Sequence, residues 1–318
     1  MRWERLGRIF AFETSPFAGR FVSHAQSPQA VVFDDFVRVY FSTRTRDAGG
    51  KFLSHIQYVD FDKSFKRILG HSEREVIPLG RLGCFDEHGI FPINVLKDGD
   101  VIRAYTTGWN RKVSVSADAS IGYAESRDGG KTFVKYGDGP ILTASLHQPF
   151  LVCDGFVQRF EGQYHMFYIF GQRWCCPTSE HAAERVYKIT SATSENGLDW
   201  KRSGRLIIED RIGENECQAL PTVTELNGRY HMFFCYRDMI GFRDDPDKGY
   251  RLGYACSEDL ENWTRDDARG GMIKAGTGWD SNMQCYPHLF KVDGEVYLLY
   301  NGNDFGKAGF GLARLIED

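Results

Sequence analysis

The 318-residue chain contains no apolar run near the roughly 18 residues that cross a bilayer as a helix. That excludes a membrane helix as its organising element. The opening residues, MRWERLGRIFAFE, carry charges throughout and lack the apolar core of a signal peptide, so a cytoplasmic location and no membrane partner are expected. Neither sign of charge is in excess. Lys and Arg number 39 against 43 Asp and Glu, a net charge of -4, which gives no electrostatic footing for nucleic acid. Disulfide scaffolding is not indicated either. Several of the eight cysteines (Cys153, Cys217, Cys235, Cys256, Cys285) sit inside apolar strand-like runs, the usual place of a small buried hydrophobe in a reduced compartment. Cys175 and Cys176 with His181 match no closed zinc spacing; no metal and no cofactor are expected. Helical signal is scarce, and the segment Pro177 to Val186 is the one read as a short helix.

What is present is β-structure, repeated. A charged fraction of 26% with 42% hydrophobic residues marks an ordinary folded chain rather than a disordered one. Five segments share one pattern: VRVYFSTR, VIRAYTTGW, YHMFYIFGQRW, YHMFFCYRD and VYLLYNGND. Their matching aromatics, Tyr40, Tyr105, Tyr168, Phe234 and Tyr300, are separated by 65, 63, 66 and 66 residues. A hairpin turn precedes each: Asp34-Asp35, Asp98-Gly99, Glu161-Gly162, Asn227-Gly228 and Asp293-Gly294. Before each turn lies a first strand with a proline at the same offset (Pro28, Pro92, Pro221, Pro287), replaced in the third repeat by Gly155. Third and fourth strands follow, the fourth carrying an aromatic: Phe65, Phe133, Trp200 and Trp263. The fifth repeat ends after three strands at GFGLARLIED, and the N-terminal RWERLGRIF, near Trp3, reads like DWKRSGRLII near Trp200. The N-terminal strand should therefore complete the last repeat. The pattern predicts one all-β domain over 1–318: a five-bladed β-propeller, four antiparallel strands per blade, with the last blade closed by the N-terminal strand.

In such a blade the first strand starts, and the second strand ends, on one face of the central channel. First-strand starts bring His24, Gln26, Asp86, Glu87, His88, Glu216, Gln218, Asp280, Asn282 and Gln284 to that rim. Second-strand ends bring Arg44, Trp109, Arg111, Arg173, Trp174, Arg237 and Asn301. Acids, amides, arginines and tryptophans converging on one funnel suit a carbohydrate, whose C–H faces pack on indole and whose hydroxyls bond to amides and acids. Paired carboxylates flanking a glycosidic bond carry out glycoside hydrolysis. Glu87 and Glu216, each five residues before its blade proline, are the leading acid/base pair, with Asp86 as a substitute; the other reading makes them hydroxyl ligands or partners of rim arginines. Arg44, Arg111, Arg173 and Arg237 would suit an anionic sugar or inorganic phosphate, or salt bridges with nearby acids. His165 and His231 precede Met in equivalent strands and read as core histidines.

At this point the sequence resembles the five-bladed propeller superfamily of glycosidases: the arabinanase/xylosidase, invertase and mannoside phosphorylase families (glycoside hydrolase families 43, 32 and 130). CDGFVQRFEGQYHMFY looks like their Asp-Pro-Phe-Val…Gly-Lys-Tyr-Tyr strand pair, with Asp154 at the family's Asp and Gly155 in place of its Pro. ECQALPTV looks like the later blade that supplies the family's Glu, with Glu216 its best match. The resemblance implies three acids on the first strands of three blades: a base or nucleophile, an orienting acid and a general acid. The first blade departs from it, since SHAQSP offers His24 and Gln26 where an Asp is frequent. SRDGGKTF and SENGLDW resemble the Asp-box turn of sialidases, a folding motif. The strands SHAQSPQAVVFDDFVRVYFSTR and MQCYPHLFKVDGEVYLLYNGNDFGKAGFGLA look like a branch associated with bacterial surface-polysaccharide gene sets.

The expected function is thus a glycoside hydrolase-like enzyme acting on an oligosaccharide or bacterial glycan. Glu216 with Glu87 or Asp86 would be the acid/base pair, Asp154 would orient, and Trp109 and Trp174 would stack on sugar. A phosphorylase or glycosyl-transferring propeller, and a propeller that only binds glycans, are the alternatives.

Overall fold

The computed structural model describes residues 1–176, 182–272, 274 and 277–318. Its strands are β1 (Arg2–Ala11), β2 (Ser23–Val32), β3 (Val37–Arg46), β4 (Phe52–Phe61), β5 (Ile68–His71), β6 (Gly89–Asp98), β7 (Val101–Arg111), β8 (Ala117–Ser126), β9 (Val134–Lys135), β10 (Val152–Phe160), β11 (Gln163–Cys175), β12 (Glu184–Ser194), β13 (Lys201–Arg202), β14 (Cys217–Leu226), β15 (Arg229–Arg237), β16 (Arg251–Ser257), β17 (Thr264–Arg265), β18 (Cys285–Val292), β19 (Glu295–Asn301) and β20 (Gly309–Glu317). Of the segment read as a helix, 177–181 lie outside the described residues and Glu184 to Val186 belong to β12. At Glu184 to Val186 the expected helix gives way to a strand, these residues pairing with Cys175, Trp174 and Arg173 of β11. No helix among the described residues is long and apolar enough to cross a membrane.

The strands pair antiparallel in sets of four: β2-β3-β4-β5, β6-β7-β8-β9, β10-β11-β12-β13, β14-β15-β16-β17 and β18-β19-β20-β1. One parallel bridge, Ser54 to Gly89, joins the first two sets into a continuous sheet. β1 lies antiparallel on β20, as the wrap-around reading required. Each set's first strand touches the next: β2 with β6, β6 with β10, β10 with β14, β14 with β18, and β18 again with β2.

The sets are joined by one repeated aromatic contact. The aromatic at or just ahead of the start of each fourth strand packs edge-on against the preceding set. Phe133 meets Tyr40 at 5.8 Å, Trp200 meets Tyr105 at 6.0 Å, and Trp263 meets Phe167 at 5.5 Å. Trp3 meets Phe233 at 5.6 Å, and Phe65 meets Phe290 at 5.9 Å. Each such pair adds about 0.5–1.5 kcal/mol beyond its buried area. The Asp-box-like turns dock in the same way: the Tyr40 and Tyr105 hydroxyls donate to the carbonyls of Gly130 and Gly197.

The first strands share a second device. Each has a register break at the position of the blade proline: between Gln26 and Gln29, Ile90 and Ile93, Cys153 and Phe156, Ala219 and Thr222, and Cys285 and His288. Ser27, Asp154, Leu220 and Tyr286 take left-handed φ values of 52°, 57°, 47° and 57° at these bulges. A bulge re-aims the side chain it carries, and this decides what faces the interior of the ring.

Candidate active site

Where the bulges converge there is a cavity of about 470 Å³. Three bulge residues line it: Phe91, Asp154 and Tyr286. Second-strand ends contribute Thr107, Trp109 and Arg237, and Gln26 and Arg44 come from the first set. A third contribution comes from third-strand starts: Ser54, Asp118, Arg185, Tyr187 and Tyr250. In an antiparallel sheet the third strand starts on the face where the second ends, so these residues belong to the same rim. Asp118 and Arg185 are therefore site residues that strand order points to and that first-strand starts and second-strand ends do not include.

Asp118 and Asp154 are the two carboxylates among the cavity's lining residues. Asp154 is 8% exposed. Its own amide donates to the Thr107 hydroxyl at 2.8 Å, and its carboxylate accepts from the Leu220 amide at 3.3 Å. Burial pushes its carboxyl up to about 7, against the opposing pull of the Leu220 N–H and of Arg185. Such a group exists in both protonation states near neutrality, the condition for a general acid. Asp118 is more open, with 38% of its side chain exposed and Lys112 3.3 Å away.

The same cavity holds three cations that form no ion pair within 4.0 Å among the described residues. Arg44 donates to Gln26 at 3.1 Å and lies over Phe52. Burial lowers its pKa from the ordinary value, as expected of a cation short of a partner. Arg185 lies 5.5 Å from the Trp174 ring centre and donates to the Ser116 hydroxyl at 3.2 Å. Arg237, only 2% exposed, stacks 3.5 Å over Phe242 and donates to the Tyr187 hydroxyl at 3.1 Å and to the Asp238 and Met239 carbonyls. Among the described residues no carboxylate stands within 4.0 Å of these three guanidinium groups, whereas Arg243, also at the cavity, pairs with Glu184 at 2.8 Å.

The other expected site residues lie elsewhere. Glu216 is fully buried, paired with Arg265 at 2.6 Å and further bonded by the Arg211 amide, the Ile212 amide and Gln218. Asp86, 1% exposed, pairs with Lys135. Glu87 accepts from the Gly83 amide and stands 3.3 Å from His88. None of the three lines the cavity, and each is engaged by a neighbour. Asp280 is likewise taken by Arg5, Gln284 and Tyr300. Asn301 holds the Ser27 amide and the Ala25 and Gly309 carbonyls. Arg173 bonds Asn215 at 2.6 Å, and the Asn282 amide donates to Asn303 at 2.8 Å. His24 is buried against the Ser23 hydroxyl at 2.6 Å; burial, then Arg44 and Lys307, bring it down to about 3. His88 stacks on Trp109, and burial followed by Arg111 lowers its pKa. Trp174 borders an adjoining pocket rather than the cavity. Gln26, Arg44, Trp109, Asp154 and Arg237 are the expected residues that the fold brings together. Among the described residues no group of three or more His, Cys, Asp or Glu could hold a metal ion, and His181 lies outside them.

No family model matches the chain. It is 31% identical over 317 residues, 99% of each chain, to the uncharacterized protein Rv1502 of Mycobacterium tuberculosis (strain ATCC 25618 / H37Rv). Over 177 residues, half of each chain, it is 29% identical to the 1,2-beta-oligomannan phosphorylase of Thermoanaerobacter sp. (strain X514). Among solved structures it superposes on a glycoside hydrolase with a TM-score of 0.72 at 17% identity, covering 98% of this chain and 90% of that one. A structure from the GH130 family of mannoside phosphorylases, which contains glycoside hydrolases that target beta-1,2 mannosidic linkages in Candida mannan, gives a TM-score of 0.65 at 14% identity, covering 98% and 93%. The chain belongs to one family with the mycobacterial protein Rv1502, and its fold is that of the propeller glycosidase superfamily.

Proposed function

We propose that residues 1–318 form one five-bladed propeller domain acting on glycans, and that its cavity cleaves a glycosidic bond with Asp154 as general acid. The observation that carries this reading is a buried carboxyl, at about 7, on the cavity wall. Its proton passes to the leaving glycosidic oxygen as the bond from the anomeric carbon breaks.

The nucleophile that best fits the cavity is inorganic phosphate. Arg44, Arg185 and Arg237 offer planar, permanently charged donors with no described carboxylate within 4.0 Å, which suits a phosphate dianion. A phosphate oxygen attacks the anomeric carbon, and the products are a sugar 1-phosphate and a shortened glycan bearing a new hydroxyl. The half-chain similarity to an oligomannan phosphorylase makes a β-mannoside the first substrate to try. Trp109, at the cavity wall, supplies an indole face for a sugar ring.

Hydrolysis is the second reading, favoured by Asp118. A half-exposed carboxylate at the cavity is suited to draw a proton from water, as the base of an inverting hydrolase does.

The test is product analysis of β-1,2-mannobiose and a panel of oligosaccharides and aryl glycosides, with and without phosphate. Sugar 1-phosphate that appears only with phosphate, and is lost in Asp154→Asn, is the expected result. Arg237→Met should raise the KM for phosphate more than tenfold. Free sugar released at the same rate without phosphate, and lost in Asp118→Asn, would replace phosphorolysis with hydrolysis. Glycan binding without turnover in either condition would leave a binding propeller.

A further inference from the structure

Beside the cavity lies a second pocket of about 450 Å³. It shares Ala117, Asp118 and Leu151 with the cavity, so the two adjoin. Its own walls are Lys112, Val113, Val115, Pro149, Phe150 and Trp174. The chemistry of this pocket differs from that of the cavity. Its two charged residues, Lys112 and Asp118, are 3.3 Å apart and paired with each other. Among the described residues Ser114 is the only lining side chain with a hydroxyl. A pyranose presents several hydroxyls, each needing a donor or acceptor to replace water, and this pocket has few to give. It has apolar surface instead. Val113 is fully exposed on the loop between β7 and β8 and lines the pocket beside Val115, Pro149, Phe150 and Trp174. Exposed apolar side chains gathered around a concavity, rather than scattered singly, mark a binding surface.

We infer that this pocket takes an apolar aglycone, an alkyl or aryl group carried on the glycan whose bond is cleaved in the cavity. The inference rests on the glycosidic reading of the cavity, because adjacency to it is what selects the occupant: a group carried on a glycan bound there reaches the pocket past Asp118. Asp118 stands at the junction, touching both spaces. Trp174, under the Arg185 guanidinium, then serves as a platform for the apolar group rather than for a sugar ring.

The test compares n-octyl and methyl β-D-mannopyranoside by calorimetric titration of the full chain. Octyl mannoside should bind at least tenfold more tightly than the methyl glycoside. That gain should fall below threefold in Val113→Ser and in Trp174→Ala, with methyl mannoside unchanged. Val113 is fully exposed, so its variant keeps the fold even if Trp174→Ala does not. Equal affinities, no detectable octyl mannoside binding, or a gain that survives both substitutions would overturn the inference. Phosphate-dependent turnover of β-1,2-mannobiose, measured in parallel, separates the two claims. Turnover without an octyl preference removes the aglycone pocket and leaves the catalytic reading. An octyl preference lost in Val113→Ser, with no turnover of any glycoside, removes the catalytic reading and leaves the pocket.

Discussion

Glu216 and Arg265 form an ion pair of 2.6 Å in which neither side chain is more than 1% exposed. Arg265 is held from its other side by Asp267 at 3.0 Å. Removing one member of a buried pair leaves the other charge without compensation and costs about 3–5 kcal/mol. Glu216→Ala should lower the urea midpoint by a corresponding amount, while protein that remains folded at low temperature keeps its turnover. A variant as stable as the parent but inactive would return Glu216 to a catalytic role.

The pair is one instance of a repeated tie. In four sets, a residue ahead of the first strand is bonded to the basic residue two places after the fourth-strand aromatic. Asp86 meets Lys135, Gln148 meets Arg202, Glu216 meets Arg265 and Asp280 meets Arg5. The first set departs: Arg67, two places after Phe65, faces Asp62 at 3.7 Å with 75% of its side chain exposed. Lys135→Met should therefore destabilise the protein by about 3 kcal/mol or more. Arg67→Met should stay within about 0.5 kcal/mol. Two urea titrations check the contrast, and equal effects would refute it.

Asp154 links activity to pH. Its acid form is lost as pH rises through about 7, so turnover should fall along a limb near that value. Asp154→Asn should reduce turnover by about 10²–10⁴. The pH–rate profile of the parent and the residual rate of the variant are the measurements.

The same residue affects stability. Its folded value, about 7, lies above the ordinary 3.8, so the folded state holds the proton more tightly. The stabilisation is complete below pH 3.8 and is lost as pH rises to about 7. Asp154→Asn removes this dependence. The variant should gain in unfolding free energy relative to the parent between pH 4 and pH 8, by on the order of 4 kcal/mol at most, read from urea titrations at each pH. A constant gap across that range would refute the burial argument.

His288 acts in the opposite direction. Buried between Phe156 and Phe290, it is brought down to about 4 by burial, with the Ala30 carbonyl opposing. The unfolded chain then binds the extra proton, and stability is lost as pH falls from 6.5 towards 4. His288→Gln should flatten that part of the stability profile, read from melts at each pH.

The architecture was legible because it is written in local, periodic signals. Turn dipeptides, the blade proline and the fourth-strand aromatic recur, and each serves a contact that every set makes. The likeness of RWERLGRIF to DWKRSGRLII anticipated that β1 would pair with β20. The site was legible only in part. Gln26, Arg44, Trp109 and Arg237 follow from strand ends, and Asp154 from its resemblance to a familiar strand pair. Glu216, Asp86 and Asp280 could not be told from cavity acids in the sequence, because an acid ahead of an inner strand reads the same whether it meets a substrate or a basic side chain. Their offsets from the blade proline also differ, so no alignment of repeats groups them as one structural tie.

The sequence by itself therefore determined the repeat, its four-strand hairpin order and the strand that closes it, since these depend on residues close in the chain or spaced at a fixed period. Only the tertiary structure decided which charges are satisfied. An arginine 49 residues away neutralises Glu216, a left-handed bulge turns Asp154 inward, and third-strand starts deliver Asp118 and Arg185 to the same cavity. Charge compensation acts through space over a few ångströms, and the pairing that settles it is made when the sets pack together.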